Sequence, residues 1–145
     1  MTGQSTSSII TARAAFIDSS AFFALAYSRD ANNPAAREIA QRLASEHWQL
    51  FTTNFVRAEA HALILNRANH RVADRFLQGL KGSESPTIMR ITEADEEQAL
   101  ALIDRYKDKD FTITDATSFV VMERLGITQA FTFDDDFRQY GLLVL

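Results

Sequence analysis

The sequence AAFIDSSAFFAL, residues 14–25, decides the fold of this chain. A short apolar run ends at Asp18, two small hydroxyl residues follow, and a second apolar run begins. This pattern predicts a buried strand over 14–18, a tight turn, and a helix capped by Ser19 or Ser20. A charged carboxylate beside so many apolar residues is costly to desolvate unless it has a partner. Asp18 therefore needs a partner that compensates for its burial.

Strand and helix patterns alternate through the rest of the sequence. Such alternation predicts an α/β fold with a mostly parallel sheet and helices on both faces. In open parallel sheets, functional sites gather outside the carboxyl ends of the strands. Further strands are predicted over 49–53, 87–91, 129–133 and 142–145, and further helices over 35–46, 54–69, 71–80, 92–106 and 112–125. Asn54 is the predicted cap of the helix over 54–69.

Composition limits the possible classes of protein. The 145 residues suit one compact domain, and the net charge of -4 argues against a surface coated in basic residues. The absence of cysteine excludes disulfides, thiolate zinc sites and cysteine nucleophiles. No apolar run reaches transmembrane length and no secretory signal is recognisable, so we expect a cytoplasmic protein without a membrane partner. The polar start, residues 1–13, is expected to be a flexible N-terminal tail.

Four carboxylates are candidates for one edge of the predicted sheet. Asp18 and Asp134 follow predicted strands, whereas Glu59 and Asp115 are expected in the first turns of helices. Each has an ordinary explanation by itself: a helix cap for Asp18, a solvated loop acid for Asp134, an exposed helix acid for Glu59, and a complement to the helix dipole for Asp115. Their shared location is more informative than any one of them.

Four acids in one low-dielectric cleft would repel one another unless a hard cation neutralised them. Oxygen ligands without cysteine favour Mg²⁺ or Mn²⁺ over Zn²⁺. A carboxylate-held Mg²⁺ orients water and stabilises charge on a phosphoryl oxygen. The acids therefore indicate phosphodiester hydrolysis.

Four segments resemble parts of the PIN-domain nucleases and, within them, the VapC-like toxins. FIDSS at 16–20 is similar to the family's opening strand, Asp and small hydroxyl residue. Glu59 falls in the helix where the family has its Glu, and TDA at 114–116 is similar to the segment with the third acid. TFDDDF at 132–137 resembles the closing Thr-x-Asp-x-x-Phe segment, which assigns the fourth acid to Asp134.

The resemblance covers nearly all of residues 14–145 and implies one three-layer α/β/α PIN-like nuclease domain with four to five strands. It implies an endoribonuclease that depends on Mg²⁺ or Mn²⁺. It also implies a homodimer and a toxin of a type II toxin–antitoxin pair, held inactive by a cognate antitoxin protein.

The resemblance also implies roles for the acids. Asp18 and Asp115 would be direct metal ligands, and Asp134 would bind the metal directly or through water. Asp136 is the alternative to Asp134. Glu59 would bind the metal through water or orient the attacking water.

Other polar residues are given roles by the same resemblance. Thr114 would hold Asp115 or a metal-bound water. The basic candidates for contact with the RNA backbone are Arg29, Arg57, Arg67 and Lys107.

Three other functions compete with the nuclease. An aspartyl-phosphate phosphatase usually has a second Asp two positions after the nucleophile, where this chain has Ser20. A receiver-like signalling domain would have a Lys near the acidic edge, and none is well placed. A catalytically silent PIN-like module that binds RNA or a protein partner is the remaining alternative, because the sequence does not distinguish binding from cleavage.

Overall fold

The computed structural model describes residues 13–145 as alternating strands and helices. The described strands are β1 (Ala14–Ile17), β2 (Gln49–Thr53), β3 (Thr87–Met89), β4 (Gln129–Phe131) and β5 (Leu143–Val144). The described helices are α1 (Ser19–Ala26), α2 (Asn33–Ser45), α3 (Asn54–Arg67), α4 (His70–Lys81), α5 (Glu93–Arg105), α6 (Ile113–Leu125) and α7 (Asp136–Tyr140). The predicted alternation is confirmed, and α7 is an element that the sequence analysis did not predict.

The strands form one sheet in the order β3-β2-β1-β4-β5, and every neighbouring pair is parallel. The α/β class and the predicted parallel sheet of four to five strands are therefore confirmed. The chain moves outward from β1 to β3, then crosses to β4 and moves outward again. Because parallel crossovers are almost always right-handed, this reversal puts α1 to α4 on one face and α5 to α7 on the other. The switch point between β1 and β4 is where such folds bind ligands.

Phenylalanine packing holds α6 and α7 against the central strand β1. Phe16 of β1, Phe119 of α6 and Phe137 of α7 are fully buried. The ring of Phe137 lies 6.4 Å from that of Phe16 and 5.0 Å from that of Phe119, measured between centroids. These contacts fix the segment that follows β4 against the core.

The cap of α1 differs from the prediction. Asp18, not Ser19 or Ser20, is the N-cap residue, with an extended backbone and a side chain that accepts the N–H of Ser20 at 3.4 Å. The reason is that Asp18 already lies at the end of the extended strand, so its carboxylate reaches the first free N–H groups of the helix. The two serine hydroxyls are thereby left for other contacts.

The α3 cap also differs, because Thr53 rather than Asn54 accepts the N–H of Val56, at 3.0 Å. Asn54 instead accepts the N–H of Ile91 at 2.7 Å. That bond takes Ile91 out of the sheet ladder, so β3 ends at Met89 rather than at residue 91 as predicted.

The flexible tail predicted for residues 1–13 lies, except for Arg13, outside the described residues. The carbonyl of Arg13 accepts the N–H of Gln49 at 2.8 Å, and its guanidinium donates to the carbonyl of Glu46 at 3.0 Å. The assignment of residues 14–145 to a single domain stays a prediction. Among the described helices, none combines the length and the apolar character that crossing a membrane requires.

Replacement of Phe137 by Ala should lower the free energy of unfolding by about 3–5 kcal/mol, because it removes a fully buried ring and leaves a cavity. Urea denaturation followed by circular dichroism measures this change. Leu100→Ala is the matched control, since Leu100 is 59% exposed and should change stability by less than about 0.5 kcal/mol. Equal losses in the two variants would contradict the proposed packing role of Phe137.

Candidate active site

Asp18 lies at the switch point of the sheet and is 1% exposed. Its backbone N–H donates to the carbonyl of Phe131 at 3.1 Å, which ties the end of β1 to the end of β4. One carboxylate oxygen, Oδ2, accepts the hydroxyls of Ser20 and Thr132, both at 2.9 Å. The sequence analysis predicted a shared divalent cation as the partner of Asp18, and the structure adds hydroxyl groups on two neighbouring elements.

Both hydroxyls also accept a backbone N–H from the segment after β4. The Oγ of Ser20 accepts from Phe133 and the Oγ1 of Thr132 accepts from Asp134, each at 2.9 Å. Each hydroxyl thus donates a hydrogen bond to Asp18 and accepts one from a backbone N–H. This arrangement ends β4 at Phe131, two residues earlier than predicted, and directs the following acids to the same edge.

Asp115 is buried in the first turn of α6 and forms a capping box with Thr112. The Oγ1 of Thr112 accepts the N–H of Asp115 at 3.0 Å, and Oδ2 of Asp115 accepts the N–H of Thr112 at 3.2 Å. We predicted Thr114 in the role of holding Asp115, and the structure gives that role to Thr112 because a capping box needs a spacing of three residues. A contact of Thr114 with bound water stays a prediction.

Glu59 reaches the same region from α3. The helix begins at residue 54 as predicted, but Glu59 is its sixth residue and lies in its second turn, so the prediction of a first-turn acid was wrong. Its Oε1 accepts the hydroxyl of Ser19, which follows Asp18 directly. Ser19 therefore connects α1 to α3 and fixes the Glu59 carboxylate beside that of Asp18.

Asp134 and Asp136, which the sequence left as alternatives, are both present in the cluster. One carboxylate oxygen from each lies within 4.8 Å of an oxygen of Asp115 and of the other. The N–H of Asp136 donates to Oδ1 of Asp134 at 3.0 Å, so the short helix α7 fixes the spacing between the two acids. The sequence signal for Asp136 was its place in the triple run, which does not by itself distinguish the three positions.

Burial and neighbouring acids raise the pKa values of three acids in the cluster. Burial, the hydrogen bond with Asp136 and the charges of Asp134 and Asp18 together raise the pKa of Asp115 to about 8, although the N–H of Thr112 opposes them. Burial and the charges of Asp18 and Asp134 also raise the pKa of Glu59, although the hydrogen bond from Ser19 opposes them. The pKa of Asp134 is raised by burial and then by the neighbouring acids. The five carboxylates therefore form one electrostatic unit.

Residues 15–143 match the sequence profile of the PIN domain. The chain belongs to the PIN domain family. The family predicted from the sequence segments is thus confirmed. Two curated relatives, both called 23S rRNA-specific endonuclease VapC20, come from Mycobacterium tuberculosis strains CDC 1551 / Oshkosh and ATCC 25618 / H37Rv. Each is 32% identical to this PIN domain over 128 residues, which cover 88% of this chain and 95% of the relative.

A solved structure agrees with the sequence match. The crystal structure of Mycobacterium tuberculosis VapC20, described as a sarcin–ricin loop cleaving toxin, superposes on this PIN domain with a TM-score of 0.82. The sequence identity in that comparison is 31%, and it covers 88% of this chain and 95% of that chain. The fold assigned from the sheet order is thereby supported independently.

The side chains of the acidic cluster fit a divalent cation. The possible ligand atoms are carboxylate oxygens, which hard cations prefer. One oxygen each from Asp115, Asp134 and Asp136 is close enough to the other two to share one ion. None of the ion pairs in the described part of the chain involves an acid of this cluster, so its negative charge is not compensated by Lys or Arg. A bound cation would supply the compensating positive charge.

The basic residues predicted to contact RNA are spread over the surface. Lys107 pairs with Asp104 at 3.4 Å, and the guanidinium carbon of Arg67 lies 5.7 Å from the centre of the Phe23 ring. Arg57 is half-buried on α3, two residues before Glu59, and Arg29 lines a concave pocket at the end of α1.

The melting temperature of the metal-free protein should fall between about pH 5 and about pH 8. A carboxyl group with a raised folded-state pKa contributes stability that is complete below its unfolded value, near 4, and is lost as the pH rises through its folded value, about 8 for Asp115. Thermal melting in a chelator measures this fall, and Asp115→Asn should reduce it. Saturating Mg²⁺ or Mn²⁺ should also reduce this fall in melting temperature. At a metal concentration one hundred times the dissociation constant, binding should raise the free energy of unfolding by about 2.7 kcal/mol. A slope equal in parent and variant would contradict the electrostatic coupling.

Proposed function

We propose that this chain is a divalent-metal-dependent endoribonuclease that acts as the toxin of a type II toxin–antitoxin pair. Asp18, Glu59, Asp115 and Asp134 are the catalytic acids, and Asp136 joins them. Mg²⁺ or Mn²⁺ is the cofactor, held by Asp18, Asp115 and Asp134, with Asp136 as a further ligand because its carboxylate lies within 4.8 Å of those of Asp115 and Asp134. The proposal agrees with the family and with the named activity of the VapC20 relatives.

The observation that carries the proposal is the crowding of like charges at one edge of the sheet. Buried acids that raise one another's pKa values are not required by the fold, because apolar residues at the same positions would avoid the repulsion between carboxylates. Such perturbed groups in a cluster are typical of functional sites. The same crowding provides an oxygen-only site for a cation, which supplies charge neutralisation at a phosphoryl oxygen and an activated water when it is bound.

The surrounding residues have positioning roles in this proposal. The hydroxyls of Ser20 and Thr132 saturate Oδ2 of Asp18, which orients the carboxylate and leaves Oδ1 with one long contact, 3.4 Å, to Ser19. The backbone N–H of Thr112 donates to Oδ2 of Asp115 and so orients that carboxylate. Metal-ligating carboxylates are commonly held by such hydrogen bonds.

Glu59 is the candidate for the base that accepts a proton from the attacking water. It is only half-buried, and burial and its acidic neighbours raise its pKa, which brings it closer to the pH at which a general base works. The hydroxyl of Ser19 fixes one of its oxygens, Oε1, and leaves Oε2 for water. Glu59 lies next to the group of Asp115, Asp134 and Asp136 but is not part of it, and this position is the basis for its proposed role.

The partners follow from the same proposal. The substrate is RNA, and a cognate antitoxin protein would hold the enzyme inactive. We propose that the chain acts as a homodimer in the cytoplasm. Because the VapC20 relatives are named for 23S rRNA, intact ribosomes and purified 23S rRNA are the first substrates to test.

Replacement of Asp115 by Asn should lower the rate of RNA cleavage by at least roughly 100-fold, because it removes a charge from the cluster. The fold should survive, since the Asn oxygen still accepts the N–H of Thr112. Cleavage is measured with Mg²⁺ and with Mn²⁺ by primer extension on ribosomal RNA. Asp110→Asn, in the exposed loop before α6, is the charge-matched control and should cleave like the parent. Cleavage by the Asp115 variant at the parental rate would refute the site.

The triple acid run offers a second test with an internal control. Asp134→Asn and Asp136→Asn should each weaken Mn²⁺ binding by roughly 10-fold to 100-fold, since both carboxylates lie beside that of Asp115. Asp135→Asn should not, because its exposed carboxylate accepts a hydrogen bond from Gln139 instead. Isothermal titration with Mn²⁺ measures the three constants. Equal weakening by Asp135→Asn would mean that the run acts only through its total charge.

A further inference from the structure

A polar pocket lies at the opposite end of α1 from Asp18. It has a volume of about 540 Å³ and is formed by the residues that follow α1 together with the junction of α3 and α4. Arg29 and Arg75 both line it, and Ser28 and Asn69 add further polar groups. Two guanidinium groups therefore face one concavity.

These two arginines have no acidic partner in the described part of the chain. The ion pairs recorded for residues 13–145 involve other side chains, and both arginines are exposed. The nearby Asp30 already accepts the N–H of Asn32 at 3.0 Å. The positive charge of the pocket is thus not neutralised by its own walls.

The charge of the chain is distributed unevenly along its sequence. Residues 54–82, which contain α3 and α4, have five Lys or Arg and two Asp or Glu, a net charge of +3. Residues 83–145 have six basic and thirteen acidic residues, a net charge of -7. The chain is acidic as a whole, but the segment that contains α3 and α4 and contributes to the pocket has a net positive charge. A polyanion would approach this segment rather than the acidic one.

Two helices lead from the carboxylate cluster to the pocket. Ser19 is at the start of α1, and Ala26, at its end, lines the pocket. Glu59 is in α3, and Ala68, directly after that helix, lines the pocket too. At 1.5 Å per residue these separations are about 10 Å and about 14 Å. A single RNA strand of a few nucleotides could contact both sites at once.

We propose that the Arg29–Arg75 pocket binds phosphate groups of the RNA strand whose scissile bond lies at the carboxylate cluster. This inference rests on the proposed nuclease function and adds to it a binding subsite for the substrate. The guanidinium fork suits phosphate oxygens, and an unpaired fork loses no existing ion pair when it binds one. Contacts of this kind position the strand without reading its sequence.

The double variant Arg29→Gln/Arg75→Gln tests the proposal through salt dependence. Each phosphate contact on a single strand contributes about 0.7 to the slope of log affinity against log salt, so the slope should fall by about 1.4. If the binding curves meet near 1 M salt, affinity at about 0.1 M salt should fall roughly 25-fold. Fluorescence anisotropy with a short labelled single-stranded RNA of mixed sequence, in a chelator, measures both quantities without cleavage.

Arg37→Gln/Arg42→Gln is the matched control. Both residues are exposed on α2 and lie outside the pocket, and their substitution removes the same charge as that of Arg29 and Arg75. The control should keep the parental slope within about 0.3, less than half of one phosphate contact. An equal loss in both double variants would overturn the proposal, because RNA would then respond only to total charge. Parental melting temperatures exclude misfolding as the cause.

Cleavage kinetics separate binding from chemistry. With Mg²⁺ or Mn²⁺ the pocket variant should raise KM about 25-fold and leave kcat within about twofold, because a distant phosphate contact is made equally in the ground and transition states. Parental kinetics in the pocket variant would overturn the proposal. The proposal would also be overturned if polyglutamate bound as tightly as RNA and depended equally on Arg29 and Arg75, because the pocket would then suit an acidic protein.

The two proposals fail in distinguishable ways. If the parent binds RNA through these arginines but cleaves none with either metal, the nuclease is refuted and the RNA surface stands. If the parent cleaves RNA and the pocket variant binds and cleaves equally well, only the pocket is refuted.

Discussion

The hydrogen bonds that join the carboxylate of Asp18 to the end of β4 constrain the rest of the site. Asp18 is almost completely buried, and its charge is tolerated because Ser20 and Thr132 donate to one of its oxygens. The same two hydroxyls accept the first free N–H groups after β4, so the strand ends there and the chain turns toward the site. One buried charge thus fixes where a strand ends and where three further acids begin.

Like-charge repulsion is the cost of this arrangement, and the fold offsets it by local anchoring. Each acid is held by a neighbour close to it in the chain or in space: Asp115 by the capping box of α6, Glu59 by the hydroxyl of Ser19, and Asp134 by the N–H of Asp136. Phe137 packs into the core one residue later and anchors α7. The acids therefore remain near one another even where their mutual repulsion would separate freely moving side chains.

The sequence was sufficient for features that depend on local patterns. Alternating apolar runs predicted the parallel sheet, and the position of Asp18 after such a run placed it at the correct edge. It was insufficient where two distant segments compete for one group. Thr132 lies 114 positions from the carboxylate that it contacts, so no local pattern could show that β4 ends before it. Asn54 looked like a helix cap, but the N–H of Ile91 occupies its oxygen. Asp136 was only an alternative to Asp134 in the sequence analysis, and the structure shows that α7 brings both acids close to Asp115.

The separation of charge along the chain reconciles an acidic protein with a polyanionic substrate. Thirteen of the nineteen acidic residues lie in residues 83–145, which form the layer away from α1 to α4 and supply three of the site acids. An RNA strand that binds to the basic layer would reach the carboxylates only at the carboxyl edge of the sheet, where α1 and α3 begin. Because the acids there repel phosphate as they repel each other, RNA and a cation would favour each other's binding. The net charge of the whole chain is therefore a poor guide to its affinity for RNA, and the distribution of that charge between the two layers is the better one.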